Sequence, residues 1–503
     1  MTAPLSAGPS PLAGRSVGTV LTILVIAEVV AAFETSMAVQ LLYTPGDFFT
    51  TDLSKLVWVI TAYSLVAALA TGFVGRLGDQ FGRRKVLVAI LLLSAIGSVI
   101  SALAPSFGVL VAGRAVQGVS GAVLPLAIGM VRATFPAAKI SMGIAVVSTS
   151  ALIAGAGGML GGGLFLDYAS WHYIFWTAAV FATLAAALVH FGIAREPRQT
   201  LARSGKVDYF GGLVFGAAIA AALYGLTLSK SRGWSDFWVL AFLLGGLAGL
   251  VLWVAWELRT EEPMINVRMF GQRKFALGML ATALIAVGPI GTMNILSVTI
   301  YRNPGSVVMA DGSVLDLPIG LGLSATMTGL LGFITAAAAF CISPLIGRIS
   351  ARFGARIGLM IGSLLTIVGL LIVCLAPGQL PVVISGLVVV IFGTGFLYSG
   401  MPTVIVECVL PEQTSTATGV NAVTRTAFQA VAASVVGLML AFSPVLAGEK
   451  TYVSLSGFFL VVGVLIATCV LTIVVVYFIP PTRAPHAQES ESRETTLALK
   501  DQS

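Results

Sequence analysis

Gly75-Arg76-Leu77-Gly78-Asp79-Gln80-Phe81-Gly82-Arg83-Arg84 is a short charged turn set between two long apolar runs. Its pattern returns 272 positions later as Gly347-Arg348-Ile349-Ser350-Ala351-Arg352-Phe353-Gly354-Ala355-Arg356. Gly, Arg, Phe, Gly and Arg recur in register, and each stretch joins one apolar run to the next. The matching position within each half of the chain argues against chance similarity of two basic turns. A chain built from two repeats, with a site at their interface, has the architecture of alternating access. Asp79 adds a mechanical reading. A carboxylate beside a helix start can accept from exposed N–H groups and is favoured by the helix dipole.

Outward from these turns, composition sets the solvent. The 503 residues are 57% hydrophobic and 10% charged, with a mean hydropathy of +0.99. A soluble domain carries about 25% charged residues, so lipid must solvate most of this chain. The net charge of +7 does not point to nucleic acid, because the basic residues fall in short clusters between apolar runs. The four cysteines, Cys341, Cys374, Cys408 and Cys469, lie inside apolar runs without CxxC spacing and read as packing residues.

A run of about 20 apolar residues spans a bilayer as a helix. Fourteen are expected, at roughly 17–43, 55–75, 86–104, 107–131, 140–166, 173–193, 209–229, 237–256, 275–301, 324–347, 357–376, 381–408, 416–442 and 453–479. The first is too long for a signal-peptide core and reads as a retained helix. With the N-terminus inside, 21 of the 28 Lys and Arg fall in inner segments and five (Lys55, Lys230, Arg232, Arg302, Lys450) in outer ones. Arg114 and Arg425 lie within spans. The asymmetry puts both termini in the cytoplasm of a multi-pass inner-membrane protein. Trp58, Trp171, Trp234 and Trp238 sit near span ends and read as interfacial anchors.

The turn Gly75-x-Leu77-x-Asp79-x-x-Gly82-Arg83-Arg84 resembles the signature loop of the major facilitator superfamily. Leu110-x-x-x-Arg114-x-x-Gln117-Gly118-x-x-Gly121 is similar to the helix 4 motif of its proton-coupled drug exporters. Further matches to the fourteen-helix drug:proton antiporters are Trp58 with Tyr63, Trp171-x-x-Ile174-Phe175, Pro263-Met264-Ile265 and Gly419-x-Asn421-x-x-x-Arg425. There are departures. The helix 5 motif reads Gly157-Gly158-Met159-Leu160-Gly161-Gly162, with Gly158 in place of a proline, and Glu34-Thr35-Ser36 stands where Asp-x-Thr is usual.

The resemblance implies an all-α integral membrane protein of the major facilitator fold. Two six-helix bundles (17–193 and 275–479) flank two inserted helices and their linkers (194–274). The ranges 1–16 and 480–503 are cytoplasmic tails, the second disordered. The resemblance also implies that Asp79 meets the start of helix 13 near Ser415 and Thr416, with Arg83 and Arg84 adding ion pairs between the halves. Gly75, Asp79, Gly82, Arg83 and Arg84 then form a gate. Gly157, Gly158, Gly161 and Gly162 allow close helix packing, although Gly158 keeps the N–H that proline would remove.

A charge at bilayer depth costs at least about 2.5–3.5 kcal/mol, so it needs a partner or a watery cleft. Glu28, Glu34, Arg114 and Arg425 stand out on that ground. Burial favours the neutral form of a carboxyl and a nearby cation the charged form. A carboxyl poised between the two can exchange a proton. Glu34, near the middle of the first span, takes that role, the alternative being a permanent ion pair. Glu28, six residues earlier, projects roughly 120° away and about 9 Å below. Arg114 does not deprotonate and is expected to face Glu34 across a cavity and tune it. Gln117, Asn421 and Arg425 are further cavity candidates. Glu407 reads as an interfacial ion-pair residue.

No nucleotide-binding loop of the GxxxxGK[ST] type is present, and His172, His190 and His486 show no metal spacing. No cofactor, metal or enzymatic reaction is expected. The expected partners are protons, a small-molecule substrate and the bilayer, with the chain acting as a monomer and without nucleic acid. Export of amphipathic or cationic drug-like molecules is the leading expectation. Export of an endogenous metabolite, lipid or natural product on the same fold is the rival. A receptor or scaffold without transport is remote from both.

Overall fold

The computed structural model describes residues 15–38, 41, 53–194, 208–261, 263, 265, 267–308, 314–317, 319–440, 445–447 and 450–480. Most of the two tails and of the linker after residue 194, together with Met264, lie outside them. In hydrocarbon every backbone polar group must be satisfied internally, which selects helices. They are α1 (Val17–Met37), α2 (Leu53–Phe81), α3 (Arg83–Ala102), α4 (Phe107–Gln117), α5 (Val123–Thr134), α6 (Ala137–Tyr168), α7 (His172–Gly192), α8 (Tyr209–Arg232) and α9 (Phe237–Glu257). There follow α10 (Arg273–Ile285), α11 (Met293–Arg302), α12 (Ala325–Cys341), α13 (Ser343–Phe353), α14 (Ala355–Leu375), α15 (Leu380–Val406), α16 (Thr414–Leu440) and α17 (Leu455–Tyr477). Two small antiparallel hairpins connect helices: β1 (Ser306–Val308) with β2 (Val314–Asp316), and β3 (Val445–Ala447) with β4 (Lys450–Tyr452).

Among the described residues twelve helices are long and apolar enough to cross a membrane, and the pair α12–α13, bent by 43°, makes thirteen if taken as one span. The remaining expected span, 416–442, is α16, 27 residues long, which is not among those counted over the described residues. Single expected spans also prove composite. A 3₁₀ turn, Gly118–Ala122, joins α4 to α5, and a π-helical turn, Ala286–Thr292, carrying the buried Pro289, joins α10 to α11. Such turns inside helices mark inserted strain and often functional positions. Moreover α1 closes at Met37, so Glu34 lies in its last turn rather than near its middle.

One apolar core joins α1, α3, α5, α6 and α7. A second joins α11, α14, α15, α16 and α17. Between them, α8 sets Phe215, Ile219 and Leu223 into a cluster shared with α2, α10, α15 and α16. α8 is therefore packed against the seam, touching both α2 and α16. The outer face of α9 carries exposed Leu240, Leu244, Leu247, Val251 and Leu252, the apolar surface lipid requires. Of the anchors, Trp58, Trp234 and Trp238 are exposed.

The repeated turns hold equivalent places. Gly82 (φ 99°) separates α2 from α3 and Gly354 (φ 84°) separates α13 from α14. In both, a left-handed backbone that favours glycine lets two helices meet at a sharp angle. Each repeat also packs on the opposite half. A Cβ on Gly75 of α2 would lie 2.6 Å from the Ser415 carbonyl oxygen at the start of α16, and one on Gly347 of α13 would strike the Met142 backbone of α6.

Candidate functional site

The basic end of the molecule is latched by charged groups from α2, α3 and α5. Asp79, in the last turn of α2, is fully buried. Its Oδ1 accepts from Arg83 Nε (3.0 Å) and Nη2 (2.8 Å) and from the Ser415 N–H (3.3 Å). Its Oδ2 accepts from the Thr416 N–H (2.8 Å) and Oγ1 (2.9 Å). The free N–H groups and dipole of the α16 N-terminus thus fall on a carboxylate. Arg83 donates across the seam to Ser415 Oγ (2.9 Å) and the Pro411 carbonyl (2.8 Å). Its ion pair with Asp79 lies within one half, and the contacts to Ser415 and Pro411 across the seam are hydrogen bonds. Arg84 donates to the His190 carbonyl at the end of α7, in its own half.

Arg132, in the last turn of α5, was counted above only as a basic residue. It donates to Thr414 Oγ1 (3.1 Å) and to the Val409 carbonyl (2.6 Å), completing the grip on segment 409–416. Arginines thus meet the carbonyls that follow α15, while the carboxylate meets the N–H groups that open α16. Elsewhere at this end Lys274 and Glu407 form a half-buried ion pair at 3.4 Å.

The second constellation is enclosed by α1, α2, α3 and α4. Glu34 and Arg114 are both fully buried. Ser94 of α3 donates toward both carboxylate oxygens of Glu34, at 2.8 and 2.7 Å. Arg114 donates to main-chain carbonyls, Val59 (3.0 Å) and Glu34 (3.2 Å), and to Gln117 Oε1 (2.5 Å). Its guanidinium lies 4.5 Å over the Tyr63 ring. Among the described residues no ion pair joins the Glu34 and Arg114 side chains. They adjoin in a closed, polar compartment and do not face each other across an open cavity as expected. The reason is local: three acceptors from α1, α2 and α4 suit the fixed fork of a guanidinium better than one carboxylate would.

Gln117 Nε2 donates to Ser98 Oγ (2.8 Å), and the Tyr63 hydroxyl bonds Ser120 Oγ (2.9 Å) and accepts from Thr35 Oγ1 (3.0 Å). Ser94 and Ser120 escaped the sequence reading, which took Tyr63 only as a motif match. A signal existed for Ser94: Ser94, Ser98 and Ser101 recur on one face of an apolar helix.

Glu28 is buried with Oε2 lacking a hydrogen-bond partner. The charge that bears on it is Arg425 of α16, which is partly exposed and lies 5.1 Å over the Tyr398 ring. Asn421, named above as a cavity candidate, is buried and donates to Thr282 Oγ1 of α10 (2.6 Å), tying two helices. In α6, a Cβ on Gly158 would sit 2.9 Å from the Phe33 carbonyl, and Gly157 and Gly161 face the rings of Phe333 and Phe33. Gly162 is buried. Gly158 and Gly161 are thus used for approach to α1, and Gly157 meets α12. Among the described residues no group of three His, Cys, Asp or Glu is placed to hold a metal.

An all-helical membrane protein, repeated in two halves and latched across their seam, is the class that fold and site define. The sequence profile of the Major Facilitator Superfamily matches residues 24–315 and 279–502. The chain belongs to that superfamily and is a multi-pass membrane transporter. It is 31% identical over 406 residues to the uridine/deoxyuridine transporter of Lactococcus lactis, covering 78% of this chain and 80% of that one. It is 26% identical over 396 residues to the multidrug resistance protein Stp of Mycobacterium tuberculosis, covering 78% and 70%. Another curated relative is matched over about half of its length (48%). Among solved structures, the human organic anion transporter MFSD10 (TETRAN) superposes with a TM-score of 0.61 at 15% identity, over 90% of this chain and 99% of that one.

Proposed function

We propose that the protein is a proton-coupled exporter of small amphipathic or cationic drug-like molecules, working by alternating access between bundles 17–193 and 275–479. On this reading α16 is also a span, making fourteen, residues 194–274 are an insertion, and both termini are cytoplasmic. The observation that carries the proposal is the fully buried Glu34 carboxyl, held by Ser94 beside a buried Arg114. A carboxyl there is costly when charged unless something compensates it. The Ser94 hydroxyl, the Arg114 field and the Gln117–Ser98 pair supply that compensation, so neither protonation state is prohibitive. Glu28, facing Arg425 from the other bundle, is the acid available to a substrate cation.

The latch supports the rest of the cycle. With Asp79, Arg83 and Arg132 engaged, the cytoplasmic end is closed and the opposite side is the one open to exchange. Loading the central site has to offset the latch before the other side opens, which is the differential binding that alternating access needs. Relatives named for multidrug resistance, lincomycin resistance and tetracenomycin C export favour drug-like substrates.

The experiment is a susceptibility panel in an efflux-deficient host carrying wild type or Glu34→Gln. Broad resistance that Glu34→Gln abolishes is the expected result. Equal resistance from both would refute the carboxyl's role. The relative named as a uridine/deoxyuridine transporter favours a second reading, movement of a nucleoside-like metabolite. Radiolabelled uridine uptake in the same cells, with no resistance phenotype, would decide for it.

A further inference from the structure

Two arginines lie inside spans, and they are held in opposite ways. Arg114 is fully buried and meets three acceptors. Arg425, near the middle of α16, is partly exposed. Its guanidinium lies 5.1 Å over the Tyr398 ring of α15, within the range of a cation–π contact. That contact offers no oxygen to the five N–H donors of the fork. Among the described residues no carbonyl, hydroxyl or carboxylate accepts from Arg425, and no ion pair joins it to Glu28 or to any other acid. Arg425 stands about 16 Å along the helix from its start and about 22 Å from its end, too deep for the side chain to reach the headgroups. A guanidinium at that depth needs a partner or water. With no protein acceptor and part of its surface open, it faces a watery cleft.

The surroundings hold this fork in place. Asn421, one turn before Arg425 on the same face of α16, donates to Thr282 Oγ1 of α10 at 2.6 Å. The Thr282 hydroxyl donates in turn to the Gly278 carbonyl (3.0 Å), which leaves its oxygen to Asn421. Tyr398 packs on a cluster that includes Ala281 and Ile285 of the same helix. Arg425 is thus set over a ring backed by α10, one turn beyond a tie between α16 and α10. We propose that Arg425, seated on Tyr398, is a substrate subsite for a carboxylate; this rests on the export reading above and narrows its amphipathic molecules to those that bear that group. A carboxylate presents two oxygens in one plane and matches a guanidinium fork with two parallel hydrogen bonds. It brings the acceptors that the protein itself does not provide. Tyr398 is a positioning residue, because its ring holds the cation and leaves the donors to the ligand.

Two fluorescent amphiphiles that differ only in this group, N-dansyl-phenylalanine and its methyl ester, test the subsite on purified full-length protein in detergent. Wild type is expected to bind the acid at least about tenfold more tightly than the ester, the least that one charge-assisted hydrogen bond supplies. Arg425→Gln should abolish that preference by weakening the acid alone. Tyr398→Leu keeps the charge and removes the ring, so it should reduce the preference, and it carries the test if Arg425→Gln does not fold. Tyr398→Phe keeps the ring and should bind as wild type does. Equal binding of acid and ester by wild type, including none of either, or a preference that survives in Arg425→Gln, would overturn the subsite. In cells, the resistance panel is run with carboxylic acids paired with their esters. Arg425→Gln should lower resistance to the acids and spare resistance to the esters. Loss of both alike, in a variant that still binds the dansyl ester, would overturn the subsite and leave the export reading standing. No resistance to any compound, with wild type and Glu34→Gln alike, would overturn both.

Discussion

A single carboxylate, that of Asp79, accepts from α3 in its own half and from the N-terminus of α16 in the other. A hydrogen bond to a charged group contributes about 1.5–3 kcal/mol. Asp79→Asn keeps the shape but discharges the group and points an amide donor at donors. The latch should weaken by about 2 kcal/mol, roughly thirtyfold in the closed-to-open ratio. Distances between spin labels on the α2–α3 and α15–α16 turns should shift toward the open population, and an unchanged distribution would show that charge does not hold the latch. Residues of this kind are legible because a charge in an apolar sequence is conspicuous. Asp79, Glu34 and Arg114 stood out for that reason. Ser94 and Ser120 did not, because a serine is cheap in a membrane helix and its importance comes only from what lies opposite.

At the scale of elements, the two related turns impose the same backbone demand. Gly82 and Gly354 occupy φ values of 99° and 84°, where an L side chain costs about 1–3 kcal/mol. Gly82→Ala and Gly354→Ala should therefore lower stability by similar amounts, read as thermal unfolding in detergent. Wild-type stability in either would mean that the helices can turn without the left-handed residue. The charged function is not shared. Ala351 stands where the first repeat has Asp79, so the α13–α6 contact is steric while the α2–α16 contact is electrostatic. Breaks inside spans were not legible: the 3₁₀ turn after α4, the π-helical turn after α10 and the 43° bend between α12 and α13 follow from packing against neighbours. Hydropathy averages over such turns, and Pro289 alone does not say which kind of turn will absorb it.

For the molecule as a whole, the number of crossings decides on which side each terminus lies. On the proposed orientation fourteen crossings, with α16 included, put both in the cytoplasm, and thirteen would separate them. In a background lacking the native cysteines, Ser10→Cys and Ser490→Cys should both resist a membrane-impermeant maleimide in intact cells and react after permeabilisation. Labelling of one terminus from outside would remove a span from the count. The polarity of the first half of α16 has a structural cause. The helix lies between α2, α5, α8, α10 and α17 and spends its Thr, Ser and Asn side chains on those neighbours, where a lipid-facing helix would carry Leu and Val.

The order of apolar runs, the charged turns and the repeat at 272 residues were enough to specify a two-fold helical membrane protein, because solvation by lipid leaves so few alternatives for the backbone. Which side chains meet was decided by the tertiary structure alone. Glu34 found a serine and Arg114 found carbonyls, since partners in a bundle come from helices far apart in the chain, and the rotation of each helix about its axis is set by its neighbours.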